Sequence, residues 1–135
     1  MSDPLSALDP ASRRTIQAFR DASLEFRAAG MQALFAEDCE FVGALSAGSL
    51  RGPKVIEAHI RQVFKGVAAS GVPRSRGLAV EGRQVVFEWE ILDPKDGAAG
   101  AAPGRFILLL DDSGLISRIR SEWDPKSLPR QATPK

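Results

Sequence analysis

The sequence predicts an α+β domain in which N-terminal helices pack on one face of a curved, mainly antiparallel sheet. Apolar residues recur at helical spacing in the first half of the chain and alternate at strand spacing in the second half. Helices first and antiparallel strands afterwards is an order typical of α+β domains. The 135 residues, 44% hydrophobic and 26% charged, suffice for one domain that buries its core without disulfides or metal ions.

The first helix is predicted to begin at Asp9-Pro10, an N-cap acid followed by a proline at the first helical position. Apolar residues then follow at helical spacing as far as Phe35. Gly30 weakens the middle of this segment, which leaves open whether residues 10–37 form one kinked helix or two.

We expect the folded domain to occupy residues 10–125. Residues 1–9 have no periodic pattern and are predicted to be flexible, as is the proline-containing tail at residues 126–135. The glycine-, alanine- and proline-rich stretch at residues 93–104 is predicted to be a long loop between two strands.

A short strand and another helix precede the main strands of the sheet. Residues 39–43 have the composition of a strand, and residues 44–52 that of a loop with a brief strand near Leu50. Pro53 then opens a helix with apolar residues on one face. Residues 68–77 are predicted to be a connector.

Two hairpins make up the remainder, formed by residues 78–92 around a Glu81-Gly82 turn and by residues 105–123 around a turn at 112–114. Alternation assigns each strand residue to one face, and we expect the bulkier set to face the helices. That inward set comprises Val85, Phe87, Trp89, Ile91, Leu115, Ser117, Ile119, Ser121 and Trp123. The outward set comprises Val86, Glu88, Glu90, Leu92, Ile116, Arg118, Arg120, Glu122 and Asp124.

Composition excludes several classes of function. The net charge is +1, from 18 basic and 17 acidic residues, and no long run has one sign, so a nucleic-acid partner is not expected. A single cysteine and a single histidine cannot build an internal disulfide or a multi-histidine metal site, and no cofactor is predicted. The chain shows no signal-peptide pattern and no stretch apolar enough to cross a membrane, so we expect a cytoplasmic protein.

Three segments of the chain carry a family resemblance. The runs LFAEDCEFVGA, LRGPKVIEAHIRQVF and DDSGLISRIRSEWD resemble the second helix and first strand, the third helix, and the final hairpin of nuclear transport factor 2-like proteins. The similarity covers about Thr15 to Pro125, and the chain is identified as a SnoaL-like member of that superfamily. The resemblance implies a cone-shaped, cystatin-like fold that encloses a pocket. Many such domains form dimers through the outer face of the sheet.

The resemblance also allows two known activities to be tested residue by residue. In steroid isomerases of this fold, the positions of the catalytic base and of a protonated aspartate match Gly43 and Phe106, and this chain has no tyrosine to assist. In limonene-epoxide-hydrolase-like members, the catalytic positions match Phe87, Trp89 and Ser121. We therefore expect neither activity. Whether the protein is an enzyme is left open.

The leading hypothesis is a small-molecule-binding domain with an apolar pocket. Its predicted lining comprises Phe19, Phe35, Ile60, Phe87, Trp89, Phe106, Ile119 and Trp123, with polar contacts from His59 and Ser121. The same aromatic residues are equally compatible with an ordinary core, and His59 with a helix-flank histidine that bonds locally. Cys39 is predicted to be a small buried residue rather than a nucleophile.

Two alternatives come from other classes of function. SnoaL-like polyketide cyclases use an acidic residue near the end of the last strand, which implies Asp124, assisted by His59, in a cyclase- or isomerase-like enzyme acting on a hydrophobic carbonyl compound. The third hypothesis is an interaction module. Val86, Ile107 and Leu109 share the outward face with charged residues, and a mixed patch of this kind suits a homodimer interface.

Overall fold

A six-stranded sheet and two α-helices make up the part of the chain described by the computed structural model, which is residues 4–43, 48–68, 71–92 and 104–123. The helices are α1 (Pro10–Leu24) and α2 (Pro53–Ala68). The strands are β1 (Phe35–Gly43), β2 (Ser49–Arg51), β3 (Val72–Glu81), β4 (Gln84–Leu92), β5 (Gly104–Leu110) and β6 (Ile116–Trp123). The predicted α+β class is confirmed.

The strands lie in the order β2-β1-β6-β5-β4-β3. Neighbours are antiparallel except β1 and β6, which run parallel and bring the first and last strands of the chain together. The two predicted hairpins, β3–β4 and β5–β6, are present with their turns. Neither described helix has the length and apolar character needed to cross a bilayer.

Helix α1 starts where the sequence predicts and ends earlier than predicted. The carboxylate of Asp9 accepts hydrogen bonds from the backbone N–H of Ser12 (3.2 Å) and from its hydroxyl (2.7 Å). The helix ends at Leu24, a separate 3₁₀ helix follows at Met31–Leu34, and Phe35 begins β1. Helical structure through Phe35 was therefore the wrong prediction.

The N-terminal segment also differs from its prediction. Residues Pro4–Ala7 form a 3₁₀ helix, and Leu5 is completely buried. The guanidinium of Arg13 donates hydrogen bonds to the backbone oxygens of Leu5 (3.2 Å) and Leu8 (3.0 Å). Residues 4–9 were expected to be flexible, but Leu5 is buried and its backbone is bonded to an arginine of the next helix. A segment this short shows no periodicity from which the helix could be predicted.

Strand β3 begins six residues before the predicted strand, inside the expected connector. The strand lies at an edge of the sheet, where Pro73 is tolerated because no further strand needs its missing N–H. Its pairing with β4 shifts between Ser75 and Gly77, which is a β-bulge. Proline and glycine gave this segment the composition of a loop, although both are compatible with an irregular edge strand.

Alternation in β4 places the faces as predicted. Val85, Phe87, Trp89 and Ile91 are at most 8% exposed and face the helices, whereas Glu88 is exposed on the other side. The prediction for β6 was wrong at Ile116, which is completely buried together with Ile119, and at Ser117, whose hydroxyl donates an exposed hydrogen bond to the backbone oxygen of Leu109 (3.1 Å). A register shift in the β5–β6 pairing lies between these two isoleucines, and an irregularity of this kind turns both side chains inward.

Carboxylates on the outer face of the sheet are each shared by two arginines. Glu122 lies 2.7 Å from Arg105 and 3.2 Å from Arg120. Glu90 contacts Arg74 and Arg76 of the neighbouring strand and is only 2% exposed. The burial of Glu90 was not predicted, because its partners on β3 lie in the segment expected to be a connector.

Candidate functional site

A cavity lies between the two helices and the inner face of the sheet. Its empty volume, counted out to the mouth, is about 620 Å³, and about 40 Å³ of this can hold the centre of a water molecule. Helix α1 and the residues after it contribute Ser23, Leu24 and Phe26, helix α2 contributes His59, Ile60, Val63, Phe64 and Val67, and the sheet contributes Phe41, Pro73, Phe87, Trp89, Ile91, Phe106 and Ser121. No charged side chain belongs to this described wall.

The α2 side of the cavity is one stripe of a helix. His59 and Val63 are four residues apart, as are Ile60 and Phe64, so their side chains lie above one another on the surface of α2. Ile60 and Phe64 are buried. The spacing that makes α2 amphipathic therefore also makes it one wall of the cavity.

The opposite wall is an aromatic cluster on β4 and β5. The rings of Phe87 and Phe106 stack at 6.4 Å with 16° between their planes, and Trp89 lies 6.1 Å from Phe106. Phe19 of α1 meets Phe106 edge-on at 5.2 Å. These separations are within the range in which aromatic pairs attract one another, so the rings hold each other in place and form an aromatic wall in which Trp89 is tilted by 40° to Phe106.

The third side of the cavity is the C-terminal end of α1. The N–H of Arg27 donates to Ala22 O (2.8 Å) and that of Phe26 to Ser23 O (3.2 Å), which is a Schellman motif. The residue in the left-handed position of this motif is usually glycine, but here it is Phe26, with a φ of 52°. Its ring lies 5.5 Å from that of Phe64. A left-handed conformation costs a side-chain-bearing residue roughly 1–2 kcal/mol, so packing offsets strain at this wall.

Three polar side chains interrupt the apolar wall, namely Ser23, His59 and Ser121. The ring of His59 lies 5.0 Å from that of Phe41, in an edge-to-face arrangement. Burial lowers the pKa of His59 below its ordinary 6.5, because the cation loses water and gains no carboxylate partner among the described residues. The imidazole is therefore neutral at pH 7.

The end of β1 is filled by an aromatic ring. Gly43 pairs with Ser121 across the parallel β1–β6 ladder. A Cβ atom placed on Gly43 would lie 2.7 Å from Cε1 of Phe41 and 3.2 Å from Cβ of Ser121. The position that the family resemblance matches to an isomerase base thus has no room for a side chain while Phe41 stays where it is.

Six of the predicted site residues lie together in the cavity wall: His59, Ile60, Phe87, Trp89, Phe106 and Ser121. Phe19, Phe35 and Ile119 are buried in the core but do not line the cavity. Phe19 stands behind Phe106, and Ile119 lies one inward position before Ser121 on β6. The Trp123 side chain and all of Asp124 lie outside the described residues.

Sequence reasoning missed other parts of the wall. Val63, Phe64 and Val67 carried a usable signal, because they continue the helical stripe that contains Ile60. Pro73 was hidden by the prediction of a connector. Ser23 and Phe26 had no signal in the sequence, since their role depends on where α1 ends.

The Cys39 thiol does not line the cavity. Burial, reinforced by the charges of Asp38 and Glu40, raises the pKa of the Cys39 thiol to about 12, and Cys39 is completely buried. No three His, Cys, Asp or Glu side chains come together as metal ligands within the described part of the chain.

Solved structures with this fold include proteins of several functions. The chain is similar to a steroid delta-isomerase from Pseudomonas aeruginosa (TM-score 0.73, 16% identity, 93% of this chain and 88% of that one). It is also similar to an NTF2-like protein of unknown function from Mesorhizobium loti (0.67, 15%, 92% and 96%) and to a proposed polyketide cyclase from Sinorhizobium meliloti (0.62, 17%, 87% and 98%). At these identities the likeness concerns the fold.

Comparison with curated protein sequences finds no significant match. The model of one family, the SnoaL-like domain, matches residues 16–119 of the 135 residues. The match covers both helices except the first six residues of α1, and every strand except the last four residues of β6. The chain therefore belongs to the SnoaL-like domain family within the NTF2-like superfamily.

Proposed function

We propose that this protein binds a small, flat hydrophobic molecule in the cavity between α1, α2 and the sheet. The observation that carries the proposal is an unfilled space whose wall is aromatic and aliphatic apart from three polar side chains. Protein cores are normally packed as densely as organic crystals, so an enclosed apolar space costs stability. Apolar walls with a few placed polar groups are the usual construction of small-molecule sites.

The size of the space supports a small ligand. One water molecule needs roughly 10–15 Å³ of the volume available to its centre, so 40 Å³ corresponds to about three waters. The enclosed part is smaller than the roughly 150 Å³ cavity that holds benzene, so a ring compound must also occupy the open mouth of the cavity, where the aromatic cluster of Phe87, Trp89 and Phe106 offers ring faces to pack against.

Binding is better supported than catalysis because the described wall holds a single titratable group. Acid–base chemistry next to a carbonyl requires a base and a donor for the developing oxyanion. His59 is neutral and can accept a proton, but its predicted partner Asp124 lies outside the described residues. A cyclase- or isomerase-like enzyme remains the rival. Under that hypothesis His59→Gln abolishes turnover and leaves ligand affinity nearly unchanged.

The test is a binding titration with 1-indanone, a planar, neutral molecule of two fused rings, followed by protein NMR. Val63→Trp places an indole in the cavity, with Val63→Phe as a milder version. Val55→Trp is the matched control, because Val55 belongs to the same helix and is 50% exposed. Thermal melting verifies that each variant is folded.

We expect saturable shifts of residues lining the cavity in the wild type and in Val55→Trp. In the Val63 variants the affinity should fall at least tenfold. The proposal is wrong if 1-indanone and similarly sized aromatic compounds fail to bind, or if Val63→Trp and Val55→Trp bind alike.

We further propose that two copies associate through the outer face of the sheet. Val86 pairs with Ile107 in the β4–β5 ladder, and Leu109, two residues on, is 41% exposed. Arg118 lies beside Leu109 in the β5–β6 ladder and 3.5 Å from Glu40. A patch with apolar residues and both signs of charge can match a copy of itself across a twofold axis.

Sedimentation equilibrium tests this association. Arg118→Glu puts a second carboxylate beside Glu40 in each copy, so the two facing patches repel each other. The variant should shift a dimer toward monomer, with 1-indanone binding unchanged. Lys54→Glu on α2 is the charge-matched control. A wild-type protein that is monomeric at millimolar concentration contradicts the proposal.

A further inference from the structure

Helix α1 has three hydroxyl side chains, of which two form hydrogen bonds with described residues and one does not. The Ser12 hydroxyl donates to Asp9 (2.7 Å), and the Thr15 hydroxyl donates to the backbone oxygen of Ala11 (3.1 Å), one turn earlier. Within the described part of the chain, the hydroxyl oxygen of Ser23 has no hydrogen-bond partner. A helical serine can ordinarily donate to the backbone oxygen one turn earlier, as Thr15 does. The Ser23 hydroxyl does not form this bond.

Solvent does not satisfy this hydroxyl either. Ser23 is 6% exposed, and its oxygen has almost no contact with water. It belongs to the cavity wall, where its neighbours along the chain are Leu24 and Phe26. A buried hydroxyl without a partner is unfavourable, and such groups in folded proteins call for an explanation.

We infer that Ser23 is the hydrogen-bonding anchor of the ligand, and that the ligand is a neutral ring compound with a carbonyl or hydroxyl oxygen. This inference rests on the proposed binding function and specifies its ligand. The Ser23 hydroxyl donates to the ligand oxygen, reaching it by rotation about χ1 between staggered positions. Binding then satisfies a group that the free protein leaves unsatisfied.

The charges of the cavity determine the rest of the ligand class. No arginine, lysine or carboxylate is part of the described wall, and the ring of His59 lies against Phe41. A charged ligand would lose its water without gaining a partner of opposite charge, which is costly. The site therefore favours a ketone, an aldehyde or an alcohol over a carboxylate of the same shape.

The experiment compares 1-indanone with indane, which has the same ring system and no oxygen, and with 2-indanecarboxylate. Affinities are measured by NMR titration for the wild type, Ser23→Ala, Ser121→Ala and Thr15→Ala. Thr15 is the matched control, since it is also a hydroxyl residue of α1 and at least nine-tenths buried but does not line the cavity, whereas Ser121 is the rival anchor in the wall. The readout is the ratio of the indane and 1-indanone dissociation constants for each protein.

In Ser23→Ala that ratio should fall by about three- to tenfold relative to the wild type, the amount typical of one neutral hydrogen bond. Indane affinity should change little, Thr15→Ala should keep the wild-type ratio, Ser121→Ala should retain more of that ratio than Ser23→Ala does, and 2-indanecarboxylate should bind most weakly throughout. Ser23→Ala should also melt at a higher temperature than the wild type without ligand, because it removes an unsatisfied buried group.

The outcomes separate the inference from the proposal beneath it. Binding of indane and 1-indanone with the same ratio in Ser23→Ala as in the wild type overturns the role of Ser23 and leaves the binding function intact. Loss of the ratio in Ser121→Ala instead makes Ser121 the anchor and also overturns it. Failure of both neutral probes to bind the wild type contradicts the proposed binding function itself.

Discussion

A side chain at position 43 and the ring of Phe41 would occupy the same space, since a Cβ on Gly43 would begin 2.7 Å from Cε1 of Phe41. Phe41 is 3% exposed and packs on His59, so its ring could move away only by giving up that contact and turning into the cavity. A base of the isomerase kind at position 43 would therefore need two changes, a new side chain and a smaller residue at position 41.

Gly43→Ala should lower the free energy of unfolding by about 1–3 kcal/mol, because it overpacks a filled region. Phe41→Leu alone should also destabilise the protein, since it removes ring contacts. The double variant should lose at least about 1 kcal/mol less stability than the sum of the losses in the two single variants. Urea unfolding of the four proteins measures this coupling, and additive losses would show that Phe41 is not the obstacle.

The inner face of the sheet was predictable because a strand has only two faces. Once Phe87 and Trp89 were assigned inward, Glu88 had to point outward, and the structure agrees. The wall on α2 was predictable for the same kind of reason, as Ile60 and Phe64 follow from helical spacing. Periodicity depends only on residues that are close together in the chain, so it can be read from a single sequence.

What could not be predicted depends on irregular backbone and on packing between distant segments. Ile116 changes face at a register shift, and Phe26 has a left-handed conformation that sequence rules reserve mainly for glycine. Whether the Ser23 hydroxyl finds a partner depends on how far the neighbouring segments lie from it. Spacing along the chain contains no information on such distances.

The buried carboxylate of Glu57 joins α2 to the 3₁₀ helix at Met31–Leu34. It accepts one hydrogen bond from the N–H of Gln32 (2.9 Å) and one from Arg61 (2.9 Å), and Glu57 is 6% exposed. Glu57→Ala should lower the free energy of unfolding by about 1–3 kcal/mol, because the N–H of Gln32 loses its bond to a charged acceptor.

Glu57→Gln should cost less than Glu57→Ala, since an amide oxygen can still accept from Gln32. Arg61→Ala should cost under about 1 kcal/mol, because the arginine end of this pair is exposed. Denaturant titrations of the three variants give the order. A loss in Arg61→Ala as large as that in Glu57→Ala would mean that Glu57 stabilises the protein through its ion pair within α2 rather than through the Gln32 bond.

Two turn glycines give a matched test of crowding. Gly114 and Gly82 both have positive φ (88° and 62°), but a Cβ on Gly114 would lie 2.9 Å from Ala11 and Ser12, whereas Gly82 has nothing within 4 Å. Gly82→Ala should cost about 1–2 kcal/mol from its backbone conformation alone. Gly114→Ala should cost at least about 1 kcal/mol more, since the β5–β6 turn must move away from α1. Equal losses in thermal unfolding would contradict this packing.

His59 makes stability depend on pH near and below 6.5, the ordinary pKa of histidine. Its folded-state pKa lies below the 6.5 of an unfolded chain, so the unfolded state binds more protons as the pH falls. The contribution to stability is therefore fully present above pH 6.5 and declines as the pH drops toward the folded-state pKa. Asp9 and Asp111 have pKa values lowered from 3.8, so their contributions are lost only in more acidic solution.

Unfolding free energies of the wild type and His59→Gln, measured from pH 7.5 to 5, should show a steeper decline in the wild type. The chain has one histidine, so its ring proton resonance reports the folded-state pKa without ambiguity. Because burial is what lowers this pKa, 1-indanone in the cavity should exclude water from the ring and lower it further. A pKa that stays the same or rises when 1-indanone binds would place the ligand away from His59.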